Sequence, residues 1–284
     1  MNTARLDRIR HVALDLDGTV YRGDTLFPWT LEALARLRGL GIGVTFLTNN
    51  SARSVDDYAA HLRAMGIEAA PADIHTSGEA AIEHLTAARP AVRRLFVLGT
   101  PSLRDAFAAA GFESAGDNAE DEPDAVVVGF DTTLTFERLC RAAHWIARGK
   151  PFIATHPDRV CPTDRPTVLV DCGSITAALR EATGRAPDAV IGKPDPRMLH
   201  GILARHGLEP AELAMVGDRL YTDIRMARAA GALAVLVLSG ETTAAEAERA
   251  DPPPDLVCDH VGVFVRLLVE ARGAADRAPG KDSR

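Results

Sequence analysis

Short runs of consecutive apolar residues alternate along this chain with longer stretches in which apolar residues recur every three or four positions. The runs read as buried strands and the longer stretches as amphipathic helices. Residues 11–14 form the first run. Leu31, Leu34, Leu37 and Leu40 give helical spacing to 28–40, with Pro28 near its start and Gly41-Ile42-Gly43 closing it. Residues 44–47 predict a second strand, whose end, Thr48-Asn49-Asn50-Ser51, leads into a helix that runs through Met65 and stops at Gly66. A short strand over 74–76 and a helix from Ser77 or Gly78 towards Ala88 follow. Strand–helix–strand units of this length predict right-handed crossovers in a parallel sheet.

A second set of such units then begins. Residues 94–98 and 125–128 read as strands, each followed by glycine (Gly99, Gly129), with helices over 102–110 and 136–147. The acidic stretch 116–124 reads as a solvated loop, not a metal cluster. A strand over 152–155 opens an irregular segment, 156–166, rich in Pro, Asp and Arg; a strand over 167–170 and a helix over 173–183 follow, and Gly184 ends the block. The last third returns to the first pattern. Residues 189–191 lead into Gly192-Lys193-Pro194 and a helix to about His206. A strand over 213–216 ends in Gly217-Asp218, with Asp223 beyond and a helix to Ala230. Further strands are expected over 234–238 and 256–258, with Pro252–Pro254 in the loop between them, then a closing helix over 261–271 and a mobile tail after Gly273. There is no long-period repeat of the solenoid kind.

With 284 residues, 46% hydrophobic and 25% charged, the chain has the make-up of a soluble globular protein of one large or two moderate domains. Its formal charge of −7 argues against a nucleic-acid partner, but not against a small anion met through a bound divalent cation. Cys140, Cys161, Cys172 and Cys258 form no Cys-x-x-Cys pair, so free thiols in a reducing cytoplasm are expected. No apolar run approaches a membrane span, and residues 1–10 lack the apolar core of a signal peptide, so the expectation is a cytoplasmic protein without a membrane partner.

Four features fall at the carboxyl ends of expected strands, where open α/β sheets bind ligands. They are Asp15 and Asp17 in Asp15-Leu-Asp-Gly18-Thr19, then Thr48-Asn49-Asn50, Gly192-Lys193-Pro194, and Asp218 with Asp223. Each has an ordinary reading by itself. Paired acids also suit a Ca²⁺ loop or a solvated turn, Thr48 a helix N-cap, Lys193 an exposed surface, and Asp218 and Asp223 the caps of a helix starting near Leu220. Together they supply acids, a hydroxyl and an amine at one kind of place. Trp29 and Trp145 read as packing.

These residues, in this order, resemble the haloacid-dehalogenase-like (HAD) superfamily, over almost the whole chain. About 145 residues separate Thr48 from Lys193, room for an inserted α/β domain of roughly 100 residues, whereas between Asp15 and Thr48 only a turn and one helix fit. Thr48-Asn-Asn-Ser51, Val127-Val-Gly-Phe-Asp131, Phe152-Ile-Ala-Thr155, Gly173-Ser-Ile175, Ala182-Thr-Gly-Arg185 and Ile191-Gly-Lys-Pro194 look like subclass IIA, the NagD / 4-nitrophenylphosphatase branch. The resemblance implies an α/β fold: a Rossmann-like, doubly wound parallel-sheet core over 1–82 and 187–284, with an inserted α/β cap of the C2 type over 83–186.

It further implies a phosphatase of small phosphorylated metabolites. Asp15 would be the nucleophile that forms an aspartyl-phosphate and Asp17 the acid and base. Mg²⁺ would sit on the Asp15 carboxylate, the Asp17 carbonyl and Asp218. Thr48 and Lys193 would hold the phosphoryl oxygens, and Gly18, Asn49, Asn50 and Asp223 would support them. His156, Asp158, Arg159 and Cys161, after Thr155, are candidates to face the leaving group, although His156 reads equally as a packed, hydrogen-bonded histidine. The family pattern usually has Asn or Asp at 156 and Pro-Gly or Gly-Thr where this chain has Asp171-Cys172. By the same resemblance Leu139, Ala143 and Ile146 would bury against a second cap in a homodimer. Transfer of the phosphoryl group to a sugar, and a catalytically idle binding module, are the competing readings.

Overall fold

The computed structural model describes residues 3–161 and 167–275; residues 162–166 of the expected irregular segment, and the tail beyond 275, lie outside them. The chain forms two compact units, residues 1–46, 65–67 and 202–284, and residues 47–64 and 68–201. Residues 47–64, 68–82 and 187–201 thus group with the second unit, because Asn49, Ser77 and Lys193 bond to one another and to the loop after Thr155.

In the first unit the strands stand in the order Leu256–Cys258, Leu233–Val237, Leu213–Gly217, His11–Asp15, with Gly43–Thr48 entering next to His11–Asp15. The first four pair in parallel, with His11 opposite Leu213 and Leu14 opposite Val216. Three of them are buried at every residue, as expected of strands covered on both faces. From His11–Asp15 the chain moves outward to one side, and from Leu213–Gly217 outward to the other. Their adjoining carboxyl ends are therefore a topological switch point, where the loops diverge and leave a crevice. The closing helix, Val261–Ala275, is longer than its apolar pattern suggested and packs on Thr30–Gly39 and on the turn Thr3–Arg8. Arg272 donates to the carbonyls of Leu40 and Ile9 at 2.8 and 2.6 Å, tying this helix to two strand-edge loops.

The second unit carries a five-stranded parallel sheet in the order Ala189–Val190, Phe152–Ala154, Ala125–Val128, Arg94–Leu98, Glu113–Ser114. The last strand has two exposed residues and no apolar signal, so periodicity missed it. Phe136–Ala147 and Cys172–Thr183 pack on the sheet through Trp145, Ile146, Ile175 and Leu179. Ile146, expected on a face toward a second copy, is fully buried in this core, while Phe136 on the same helix is 80% exposed. The acidic loop is largely exposed, as a solvated loop should be, and it is also pinned, since Asp124 accepts from the Arg93 and Arg94 amides and Asp121 and Asp117 pair with Arg94 and Arg138. Val160–Cys161 pairs antiparallel with Leu169–Val170. Among the described residues no helix is long and apolar enough to cross a membrane.

Candidate active site

In the first unit the switch point gathers three acids. Asp15 ends its strand, Asp218 follows Gly217 directly, and Asp223 lies in the π-helical turn Leu220–Ile224. All three are buried, and one carboxylate oxygen from each lies within 4.8 Å of the others. Two of them stood on the expected metal set and the third beside it. The π turn matters because a tighter helix would start Asp223 at another angle. Here its Oδ2 accepts the Arg219 amide at 3.1 Å, and a Cβ on Gly217 would come within 2.3 Å of its carboxyl carbon.

Asp218 is held from the other side by a loop that carries no motif of its own. Its Oδ2 accepts the Glu241 amide at 2.6 Å and its carbonyl accepts the Thr242 amide at 3.2 Å. A Cβ on Gly240 would sit 1.9 Å from that Oδ2, and one on Gly18 would sit 2.5 Å from it. Gly18, at φ +92°, also has its carbonyl bonded by Ser239 Oγ at 2.7 Å. Two backbones therefore close on one carboxylate, and side chains at either place would force it away. The Ser-Gly-Glu turn at 239–241 resembles any loop in sequence, so no local signal marked it.

Thr19 Oγ1 lies 3.4 Å from Asp15 Oδ2. Asp17 sits on the exposed rim of the turn, yet the atoms crowded round its carboxyl raise its pKa by desolvation, against the Gly23 amide and the charges of Arg219 and Arg22. Arg219 is the other residue not anticipated, although its place beside Asp218 was a usable signal. Burial works to lower its pKa, but Tyr221, Asp15, Asp218 and Glu241 carry it up instead, and it pairs with Glu241 at 2.9 Å. The donor set of Asp15, Asp218 and Asp223 is all hard oxygen in a glycine-lined cradle, which fits Mg²⁺ or Ca²⁺ and not a thiolate-preferring metal.

The second unit holds the other expected residues. Thr48 Oγ1 accepts the Asn50 amide at 3.2 Å, so the hydroxyl shapes the strand-end turn; the helix after it begins at Val55, where Ser54 and Asp57 exchange capping bonds. Asn50 Oδ1 accepts the Ala52 amide at 2.9 Å. Lys193 is 4% exposed, not the surface lysine of the ordinary reading. Asn49 Oδ1 accepts its amide at 2.7 Å, and Asn49 Nδ2 donates to its carbonyl at 3.1 Å and to Asp158 Oδ2 at 3.0 Å. Ser77 Oγ closes the group on the Asn49 carbonyl.

Of the four residues after Thr155, His156 is fully buried and Asp158 largely so. Arg159 is exposed and uses its carbonyl to accept from the Asp171 amide and Ser174 Oγ; Cys161 lies in the strand Val160–Cys161. Burial works to raise the Asp158 pKa, but the contacts with His156 and Asn49 and the charge of Lys193 outweigh it and hold the carboxyl below its usual value.

Residues 12–113 match the family model described as haloacid dehalogenase-like hydrolase, and residues 190–263 the model described as HAD-hydrolase-like. The chain is 38% identical over 239 residues to a D-glycerol 3-phosphate phosphatase of Mycobacterium tuberculosis, covering 84% of this chain and spanning 65% of that relative's length. The structure of a 4-nitrophenylphosphatase from Thermotoga maritima superposes with a TM-score of 0.86 at 43% identity, over 92% of this chain and 98% of that one. That of a glycerol phosphate phosphatase from Mycobacterium tuberculosis in complex with magnesium superposes with a TM-score of 0.83 at 36% identity, over 93% and 77%.

Proposed function

The chain belongs to the haloacid dehalogenase-like hydrolases, and from that membership we propose that it is a Mg²⁺-dependent phosphatase of small phosphomonoesters. The substrates in this reading are sugar or polyol phosphates, phosphoglycolate or glycerol phosphate, or nucleoside monophosphates. The observation that carries it is the convergence of Asp15, Asp218 and Asp223 at the switch point of the first sheet.

Phosphoryl transfer is mostly positioning and charge neutralisation, and each residue has a share in both. The Asp15 carboxylate attacks phosphorus in line with the leaving oxygen and becomes an aspartyl-phosphate. Asp17, whose pKa burial moves upward, gives a proton to the leaving alkoxide and then takes one from the water that opens the acyl-phosphate. Thr48 Oγ1 and the Lys193 ammonium hold the phosphoryl oxygens; Asn49 fixes the Lys193 backbone, Asn50 shapes the loop, and Gly18 leaves room for Asp218. Mg²⁺ would be held by Asp15 and Asp218, with the Asp17 carbonyl, and would neutralise phosphoryl charge there, Asp223 standing beside it.

The core in this reading is 1–82 with 187–284, and 83–186 is the cap that selects substrate, with His156, Asp158, Arg159 and Cys161 in its loop. Free thiols at Cys140, Cys161, Cys172 and Cys258 favour the cytoplasm. A homodimer through the cap rests on the exposed Phe136 and half-buried Leu139 and Ala143. The test is phosphate release from a panel of these esters with Mg²⁺ and with EDTA, for the intact chain and Asp15→Asn. Release that needs Mg²⁺ and disappears in the variant supports the reading. No release from any ester by folded protein removes it.

A further inference from the structure

A buried line of charge crosses the second unit. The His156 ring is fully buried, with Nδ1 3.5 Å from Asp158 Oδ2 and Nε2 3.4 Å from Asp171 Oδ1. Each ring nitrogen faces one carboxylate, and each carboxylate is engaged again beyond the ring. Asp171 caps the helix Cys172–Thr183, its Oδ1 accepting the Cys172 amide at 2.5 Å. Asp158 accepts from Asn49 Nδ2 at 3.0 Å, and Asn49 takes both polar groups of the Lys193 peptide. A continuous path therefore runs from a helix N-cap through Asp171, His156, Asp158 and Asn49 to Lys193.

The backbone around this path is clamped. The Gly192 amide donates to the Thr155 carbonyl at 2.6 Å, and a Cβ on Gly192 would lie 2.5 Å from His156 Cβ and 2.7 Å from Asn49 Oδ1. On the other side the Gly173 amide donates to the Asp158 carbonyl at 2.7 Å, and a Cβ on Gly173 would meet the Pro157 carbonyl at 2.1 Å. The loop over 155–158 thus lies between two glycines, one of them the residue before Lys193. Removing the His156 ring would leave two buried carboxylates facing a void, a situation that costs far more than a lost surface pair. Positions 156 and 171 lie apart in the sequence, and the fold joins them as one pair.

We propose that His156 and Asp171 are positioning residues for Lys193: together they hold Asp158 against Asn49, and so fix the backbone from which the lysine reaches. This rests on the reading of Lys193 as the group that neutralises phosphoryl charge. In this role His156 acts through Asp158 and Asn49 and not by contact with substrate.

The test compares the intact chain with His156→Ala, His156→Asn, Asp171→Asn and the double variant His156→Ala/Asp171→Asn. Leu179→Ala, a core truncation in the same unit, serves as the control for stability loss alone. Hydrogen exchange at the Lys193 amide and steady-state hydrolysis of 4-nitrophenyl phosphate are read for each. In His156→Ala the Lys193 amide should exchange about tenfold faster, and kcat should fall about 10- to 100-fold with KM nearly unchanged. His156→Asn, which keeps a donor toward Asp158, should recover part of both. The double variant should be no worse than the worse single, since the two side chains act as a unit. Leu179→Ala should lower the unfolding temperature and leave both readouts alone. Unchanged exchange and kcat in His156→Ala, or effects that simply add in the double, overturn the proposal. If the intact chain hydrolyses no ester, the phosphatase reading fails, and the exchange measurement still decides whether His156 holds the Lys193 backbone.

Discussion

The carboxamide of Asn49 brackets the peptide of Lys193, 144 residues away in sequence: Oδ1 accepts the lysine amide at 2.7 Å and Nδ2 donates to its carbonyl at 3.1 Å. An amide fits there because it offers one acceptor and one donor side by side. Asn49→Asp keeps the shape and puts a second carboxylate oxygen against the Lys193 carbonyl and Asp158. We expect a loss of about 2–4 kcal/mol in urea unfolding, and at least about a tenfold loss of kcat/KM on 4-nitrophenyl phosphate. A variant as stable and as active as the parent would refute the bracket as a functional element.

Gly240 presses on Asp218 more closely than any side chain could tolerate. Gly240→Ala should displace the carboxylate, weaken the apparent Mg²⁺ affinity in an activity titration by about 10- to 100-fold, and cost about 1–3 kcal/mol of stability. Gly39→Ala, at a helical position with open space around it, should titrate like the parent and gain up to about 1 kcal/mol. Equal Mg²⁺ titrations for the two variants would remove Gly240 from the cradle.

His11 is buried under Gly43, bonded to Thr45 at 2.8 Å, with its ring tilted against that of His206 at 4.3 Å between centroids. Burial, and then the charge of His206, lower its pKa to about 4 from 6.5. Between those values the unfolded chain binds a proton that the folded chain does not. The contribution of this group is therefore complete above pH 6.5 and is lost as pH falls towards 4, by about 3 kcal/mol in all. Urea midpoints of the parent at pH 7.5 and 4.5 should differ by more than those of His11→Gln. Identical pH dependence in the two proteins would show that another group sets it.

Cys172 and Cys258 are buried, and desolvation pushes both thiols up to about 11, whereas Cys140 is exposed. A disulfide-exchange reagent at pH 8 should label Cys140 in the native protein and reach Cys172 and Cys258 only in denaturant. Rapid native labelling of Cys172 would mean that the helix start at Asp171 opens, and with it the path to Lys193.

Several elements are legible to the residue in the apolar pattern alone. Ile74–Thr76, Arg94–Leu98, Ala125–Val128, Leu256–Cys258 and the helix Phe136–Ala147 all fall where apolar runs and their punctuation put them. Glu113–Ser114 is not legible, because an exposed two-residue edge strand is defined by its partner Arg94–Leu98 and not by its own side chains. The π turn over Leu220–Ile224 and the loop holding Gly240 escape for a similar reason. The loop answers to Asp218, whose carboxylate accepts the Glu241 amide, and the π turn to Asp223, which accepts the Arg219 amide; no apolar pattern announces either bond.

The sequence by itself determined the alternation of strands and helices, and put Asp15, Thr48, Lys193 and Asp218 at strand ends, because apolar runs and the polar residues that stop them are local properties of the chain. Tertiary structure alone decided that Asp223 joins Asp15 and Asp218, since that depends on parallel pairing of His11–Asp15 with Leu213–Gly217 and on the twist of the turn after it. It alone decided that His156 faces Asp158 and Asp171 rather than solvent. Ion pairs and close backbone approaches join residues far apart in the chain, and no periodicity records which distant partner a buried charge will meet.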